Sequence, residues 1–288
     1  MTDNNTDLVV QLTRIADALE RRTPADMLPE NLVSADAYVW QSEIRQLVAV
    51  EKVNSLDIEL LKGIDEQRDN LLANTLGFVA GLPANNALLW GARGTGKSSL
   101  VKSVHRSVIA EGFDLGLVEI HREDIADLPY LMSFLQKIDR FFIIFSDDLA
   151  FEGGESTYKS LKAALEGGIE GRPENIVFYA TSNRRHLMPR QMIENERSTA
   201  ISPSETTEET VSLSDRFGLW IGFHSIDQDT YLAMVDDYVR FYGIKAGDID
   251  VRHEALAWSV GRGSRSGRVA WQFITDLAAR TKTKLNRK

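Results

Sequence analysis

The chain has no cysteine in its 288 residues. That excludes disulfide bridges, thiolate zinc sites and a cysteine nucleophile, and fits a reducing compartment. It also lacks any apolar run near the ~20 residues that a membrane helix needs. Its first seven residues are polar, unlike a secretion signal, so a cytoplasmic location with no membrane partner is expected. Positive charge is in deficit. Lys plus Arg number 33 against 42 Asp plus Glu, a formal net charge of −9, so general electrostatic attraction to nucleic acid has no support and would need a local patch. Internal repeats and low-complexity segments are absent. What is present is enough apolar material, 43%, to bury a sizeable core.

Residues 1–82 suggest helices. Leu8, Leu12, Ile15 and Leu19 recur at helical spacing, and Thr23-Pro24 ends that stripe. Further helices are expected over about 35–50 and 56–78, closed by Gly81 and Pro83. From Asn86 the pattern changes. Short apolar strands, at 87–90, 115–120, 141–145, 176–181 and 219–223, alternate with helical stretches. Most of these strands are nearly continuous apolar runs, as expected of parallel strands covered on both faces. A polar stretch at 189–214 is expected to be a loop or insertion. Helical periodicity then returns through Leu232, Val235 and Val239, a short segment at 255–260, and Val269, Phe273, Ile274 and Leu277. The expected fold class is α/β: a parallel, doubly wound five-stranded sheet (residues 83–225), preceded by a helical region (1–82) and followed by a helical lid (226–288).

Residues 91–98, G-A-R-G-T-G-K-S, match the phosphate-binding loop G-x-x-x-x-G-K-S/T. Gly91, Gly94 and Gly96 let the backbone turn tightly and approach phosphate oxygens. The amides of Ala92, Arg93, Thr95, Lys97, Ser98 and Ser99 complete the cradle at the start of a helix, where the helix dipole favours an anion. Lys97 can bridge the β- and γ-phosphates, and the Ser98 hydroxyl can hold Mg²⁺. The implied cofactors are ATP and Mg²⁺. Residues 141–148, F-F-I-I-F-S-D-D, form an apolar strand ending in two carboxylates. Asp147 would hold the Mg²⁺ shell, a metal that takes few protein carboxylates and keeps waters. Asp148 would orient or deprotonate the attacking water. Glu152 is an alternative base, and a helix cap is an alternative role for Asp148.

Three further sites separate this chain from other phosphate-loop proteins. Asn183 ends the strand Y-A-T-S-N, where its amide could hold the attacking water; a turn asparagine is the alternative. Arg216 lies in L-S-D-R-F-G just before the last strand, with a surface ion pair as its alternative role. Arg268 lies in S-G-R at the start of the last helix, with Arg262 and Arg265 competing for its place.

The order of these elements resembles that of AAA+ ATPases, in which they are called sensor 1 (Asn183), the arginine finger (Arg216) and sensor 2 (Arg268). The commonest AAA+ pattern has Glu where Asp148 stands, and the shorter side chain changes the reach to water. The wordings "ANNALLWGARGTGKSSLVK", "FSDDLAFE", "YATSNRRHL", "SLSDRFGL" and "GSRSGRVAWQF" look like the bacterial family known as domain of unknown function 815, over about Gly63 to Leu277. The resemblance implies the AAA+ fold, ATP with Mg²⁺ and assembly into a homo-oligomer through Arg216. The expected function is an ATPase that remodels or loads a partner protein. The alternatives are a nucleotide-gated switch with weak hydrolysis and a small-molecule kinase, against which Arg216 and the lid speak. The stretch 121–130 has Tyr130 but no following glycine, so processive threading of protein is not expected. Arg184, Arg185, Lys159 and Lys162 are candidates for touching an acidic partner or a phosphate backbone. The stripe Leu8–Leu19 is a candidate partner-binding or self-association element. No DNA-reading module is expected after the lid.

Overall fold

Every strand expected from apolar runs is present in the computed structural model, which describes residues 35–151, 155–167, 171–185, 187 and 216–285 with Gln11 and Arg14, the side chains of 155–159 excepted. The strands are β3 (Ala87–Gly91), β4 (Leu115–Glu119), β5 (Phe141–Ser146), β6 (Ile176–Ser182) and β7 (Leu219–Phe223). Two more, β1 (Ala37–Gln41) and β2 (Gln46–Ala49), precede them. The sheet has seven strands in the order β2-β1-β4-β5-β6-β3-β7. All neighbours are parallel except the β1–β2 hairpin.

The expected count of five strands is corrected by that hairpin, and so is the helix expected over 35–50. In A-Y-V-W-Q, Tyr38 and Trp40 point to one side and are 2% and 1% exposed, a period of two rather than 3.6. Backbone bonds fix the choice: the Leu117 N–H donates to the Asp36 carbonyl at 2.9 Å, and the Val50 N–H to Ala37 at 2.8 Å. Parallel pairing with β4 thereby extends the sheet by one strand, and the hairpin by another. Of the remaining N-terminal expectations, residues 56–78 contain a 3₁₀ turn (Ile58–Leu60) and helix α1 (Asp65–Val79). The stripe Leu8–Leu19 and the stretch 189–214 lie outside the described residues.

Alternation along the strands feeds two hydrophobic layers. Leu88, Phe142, Ile144, Phe178 and Ala180 face helices α3 (Leu128–Leu135) and α4 (Glu155–Glu166) through Leu131, Leu135, Leu161 and Leu165. Leu89, Ile143, Phe145, Val177 and Tyr179 face α1 and α2 (Lys97–Ala110) through Leu71, Phe78, Leu100 and Val104. Each such Val, Leu, Ile or Phe side chain contributes about 1.5–3 kcal/mol by leaving water, so a strand buried on both faces, like β6, is strongly fixed in register.

A third cluster belongs to the C-terminal helices α5 (Gln228–Tyr242), α6 (Val251–Gly261) and α7 (Gly267–Arg280), centred on Tyr231, Val235, Phe273, Ile274 and Leu277. Side-chain caps start all three helices: Asp227 accepts from the Thr230 N–H, Asp250 from His253 and Ser266 from Val269. Leu60 inserts into this cluster, and Lys62 pairs with Asp237 at 2.9 Å. The segment before α1 therefore ties the sheet to the C-terminal helices. Among the described residues no helix is long and apolar enough to cross a membrane.

Candidate functional site

The site grows from the carboxyl ends of β3, β5 and β6, which the strand order places side by side. β3 ends at Gly91, whose φ of 138° favours glycine; a Cβ there would lie 2.0 Å from the Phe223 carbonyl oxygen. The loop then turns into α2 at Gly96, φ 102°, and the first amides of α2 have no partner within the helix. Within the loop, the Thr95 hydroxyl donates to the Ala92 carbonyl at 2.8 Å.

Lys97 is only 7% exposed. Its ammonium donates to the carbonyls of Gly91 (2.9 Å) and Ala92 (2.7 Å) and to Asn183 Oδ1 (3.1 Å). Burial pulls its pKa below the ordinary lysine value, against the opposing pull of Asp147 and Asp148. The two carboxylates offset part of that desolvation.

Asp147 and Asp148 follow β5 directly and are exposed to the cleft. Asp147 Oδ1 accepts two hydroxyl bonds, from Ser98 and from Thr181, each 2.5 Å. Asp148 has φ 53°, a left-handed conformation that aspartate tolerates better than most residues. Its N–H donates to Thr181 Oγ1 at 2.9 Å, and the next N–H, of Leu149, to the Thr181 carbonyl at 2.7 Å. The Asn183 amide bridges the site: its nitrogen donates to Asp148 Oδ1 and its oxygen accepts from Lys97.

These groups line a cleft of about 700 Å³. Arg93, Gly94, Thr95, Gly96, Lys97, Ser98 and Ser99 line it, whereas Gly91 and Ala92 are not brought to the cleft surface and instead accept from Lys97. Leu60, Met234, Tyr238 and Trp271, which share one hydrophobic cluster, and Ile64 also line the cleft. Arg268 reaches the cleft from the first turn of α7, which packs close to the loop: a Cβ on Gly94 would lie 3.4 Å from the Arg268 Cβ. Its competitors point elsewhere. Arg262 lies over the Trp258 ring at 5.1 Å, and Arg265 donates to Gln228 at 3.3 Å.

Arg216 is not brought to the cleft. Its guanidinium pairs with Glu166 at the end of α4, with Nε to Oε1 at 2.8 Å. Arg185 sits over Trp90 at 5.2 Å. Tyr130 packs against Trp40 of the hairpin with Arg45 over its ring at 4.7 Å. Glu152 lies outside the described residues, as do the side chain of Lys159 and the residues of L-S-D-R-F-G before Arg216.

Sequence reasoning missed Thr181, and a signal for it existed. It is a hydroxyl in an apolar strand, and the register pairing Ser146 with Ala180 sets Thr181 beside the first carboxylate. The wall residues Leu60, Tyr238 and Trp271 were also missed, since they converge from distant segments.

A family model described as "Protein of unknown function (DUF815)" matches residues 33–281. The chain belongs to this family. No curated protein matches it. Among solved structures, ORC1 of Aeropyrum pernix, in complex with DNA, is 16% identical with a TM-score of 0.54, covering 81% of this chain and 66% of that one. A mutant of RuvB of Thermotoga maritima is 15% identical with a TM-score of 0.50, covering 76% and 64%. The Thermotoga maritima RuvB Holliday junction branch migration motor is 15% identical with a TM-score of 0.49, covering 77% and 65%. The chain thus spans just under two thirds of the length of each. At these identities the likeness to the ORC1 and mutant RuvB structures speaks for the fold alone. It is the AAA+ type of phosphate-loop fold, with two strands added at one edge of the sheet in this DUF815 member.

Proposed function

We propose that this member of the DUF815 family binds ATP with Mg²⁺ in the cleft and hydrolyses it, as a homo-oligomer that remodels or loads a partner protein. The observation that carries this reading is one connected set of side chains. Lys97, Asn183, Asp148, Thr181, Asp147 and Ser98 are joined bond to bond beneath a glycine-rich loop and a helix N-terminus. In this reading residues 83–225 form the nucleotide-binding unit and 226–288 its lid.

The residues present fit a magnesium ion. Ser98 Oγ and Asp147 Oδ1 are hard oxygen donors 2.5 Å apart, and among the described residues no cluster of three or more His, Asp or Glu offers a competing site. That poverty of protein ligands suits Mg²⁺, which keeps waters and phosphate oxygens in its shell. When bound, the metal neutralises charge on the phosphates. The chain's own groups do the rest. The loop amides and Lys97 hold the phosphate oxygens, Asn183 and Asp148 orient a water for in-line attack, and Arg268 reports the γ-phosphate to the lid. Leu60, Ile64, Tyr238 and Trp271 supply an apolar slot for a base.

One observation favours a slower, switch-like enzyme. The Asp148 carboxylate already accepts from Asn183, so activating a water requires that contact to be shared or broken. Tyr130, pinned between Trp40 and Arg45, gives no support to protein threading. ORC1 binds DNA, but the net charge of −9 argues for a protein partner here.

The test is ATP hydrolysis rate against protein concentration, with particle size measured with and without nucleotide. Specific activity that rises together with ATP-dependent assembly is the expected result. A flat, near-zero rate with tight ATP binding would replace this reading with the switch.

A further inference from the structure

We infer that Thr181 is a positioning residue for both carboxylates of the site; the inference rests on the nucleotide-site reading above. Thr181 is the last residue but one of β6, a strand buried throughout, and is 1% exposed. Its hydroxyl uses both of its hydrogen-bonding capacities in opposite directions. The proton goes to Asp147 Oδ1 at 2.5 Å, and a lone pair accepts the Asp148 N–H at 2.9 Å. Its carbonyl accepts the Leu149 N–H at 2.7 Å. One residue of β6 therefore grips three consecutive residues at the end of β5.

Each contact has its own consequence. The bond to Asp147 occupies one side of the oxygen that also faces Ser98, so the carboxylate cannot rotate away from the serine hydroxyl. The bond to the Asp148 N–H holds a residue at φ 53°, a conformation that costs a non-glycine residue energy and persists only when its surroundings impose it. With that backbone held, the Asp148 side chain is delivered to Asn183. Ser98 and Asn183 approach the two carboxylates from outside the β5 end; Thr181 holds them from the sheet. The short Asp148 side chain makes this grip matter more, because it has fewer rotatable bonds than glutamate with which to recover a lost position.

Thr181→Val keeps the branched shape and strand preference while removing the hydroxyl; Thr181→Ser keeps the hydroxyl and removes a methyl. The full chain is titrated with a fluorescent ATP analogue in Mg²⁺ and in EDTA, and kcat and KM are measured separately. Loss of a group that orients a metal ligand typically costs 10–100-fold in metal affinity or activity. Thr181→Val is therefore expected to lose about tenfold or more of both the Mg²⁺-dependent gain in affinity and kcat, with affinity in EDTA unchanged. Thr181→Ser is expected to stay near wild type in all of these. If Thr181→Val does not fold, Thr181→Ala carries the same expectation. A hydroxyl-less variant with the Mg²⁺ response and kcat of the wild type overturns the inference, and so does a serine variant as impaired as valine, which would make packing the cause. A wild type whose nucleotide affinity ignores Mg²⁺ overturns the parent reading itself, a result the variants cannot mimic.

Discussion

The side chains at the strand ends and the arginines around them are built in different ways. Lys97 and Ser98 at the start of α2, and Asp147, Asp148, Thr181 and Asn183 at the ends of two adjacent strands, are held by one another. Arg216 and Arg268 stand apart from that set. Arg216 is tied to Glu166 through side chains 21% and 46% exposed, an ion pair of the class worth about 0.2–1 kcal/mol in water. Arg268 reaches the cleft from a helix whose core is separate from that of the sheet. The lesson is a division of labour within the proposed function. Strand register and the start of α2 organise the groups proposed to hold phosphate and metal, whereas the two arginines proposed to act on the transition state are placed by other parts of the fold.

The division can be broken most severely at Lys97. Lys97→Ala removes a charge-assisted contact to two phosphates, and affinity should fall on the order of 10²- to 10⁴-fold, with hydrolysis at background. Isothermal titration with ATP measures the first effect and phosphate release the second; near-normal values for both would dissolve the phosphate-loop reading. Arg216→Ala should spare the inner set. Its ATP affinity should stay within a few fold of wild type while turnover falls about 10³-fold, the value of an arginine that stabilises a phosphoryl-transfer transition state. Mixing the two inactive variants sharpens the test, because Lys97→Ala subunits still present Arg216 to intact sites. Recovery on mixing is expected, and its absence at every ratio would confine Arg216 to its pair with Glu166.

The same division explains what the sequence disclosed. The phosphate loop and the S-D-D end of β5 are local patterns whose chemistry lies in consecutive residues, so they were legible along with all five strands of the parallel core. The hairpin was not. Its turn, Ser42-Glu43-Ile44-Arg45, carries no Gly, Pro or Asn, and Arg45 itself takes φ 50°; with no turn signal, the apolar residues at 35–50 also suited a helix. The decisive term was pairing of β1 with β4, a partner 80 positions away. Thr181 escaped for the same reason, since its role exists only once β5 and β6 are in register.

Spacing could not rank Arg262, Arg265 and Arg268 either, because each lies at or near a helix end and the side it faces depends on tertiary packing. The structure separates them. Ser266 caps α7 and is 6% exposed, fixed against the loop at Gly94, and Arg268 follows two residues later, inside the first turn. Arg265 precedes the cap and turns back to Gln228 at the start of α5. Arg268→Ala should therefore weaken ATP more than ADP, by about tenfold for the loss of one charge-assisted bond, whereas Arg265→Ala should move both nucleotides equally and little. The comparison of the two nucleotides is what makes the result specific. A lid damaged in its packing would lose ATP and ADP alike, and only a residue that meets the γ-phosphate can change their ratio. If Arg265→Ala changed that ratio and Arg268→Ala did not, the lid would close on nucleotide in a different orientation from the one described, and the cleft wall carrying Tyr238 and Trp271 would have to move with it.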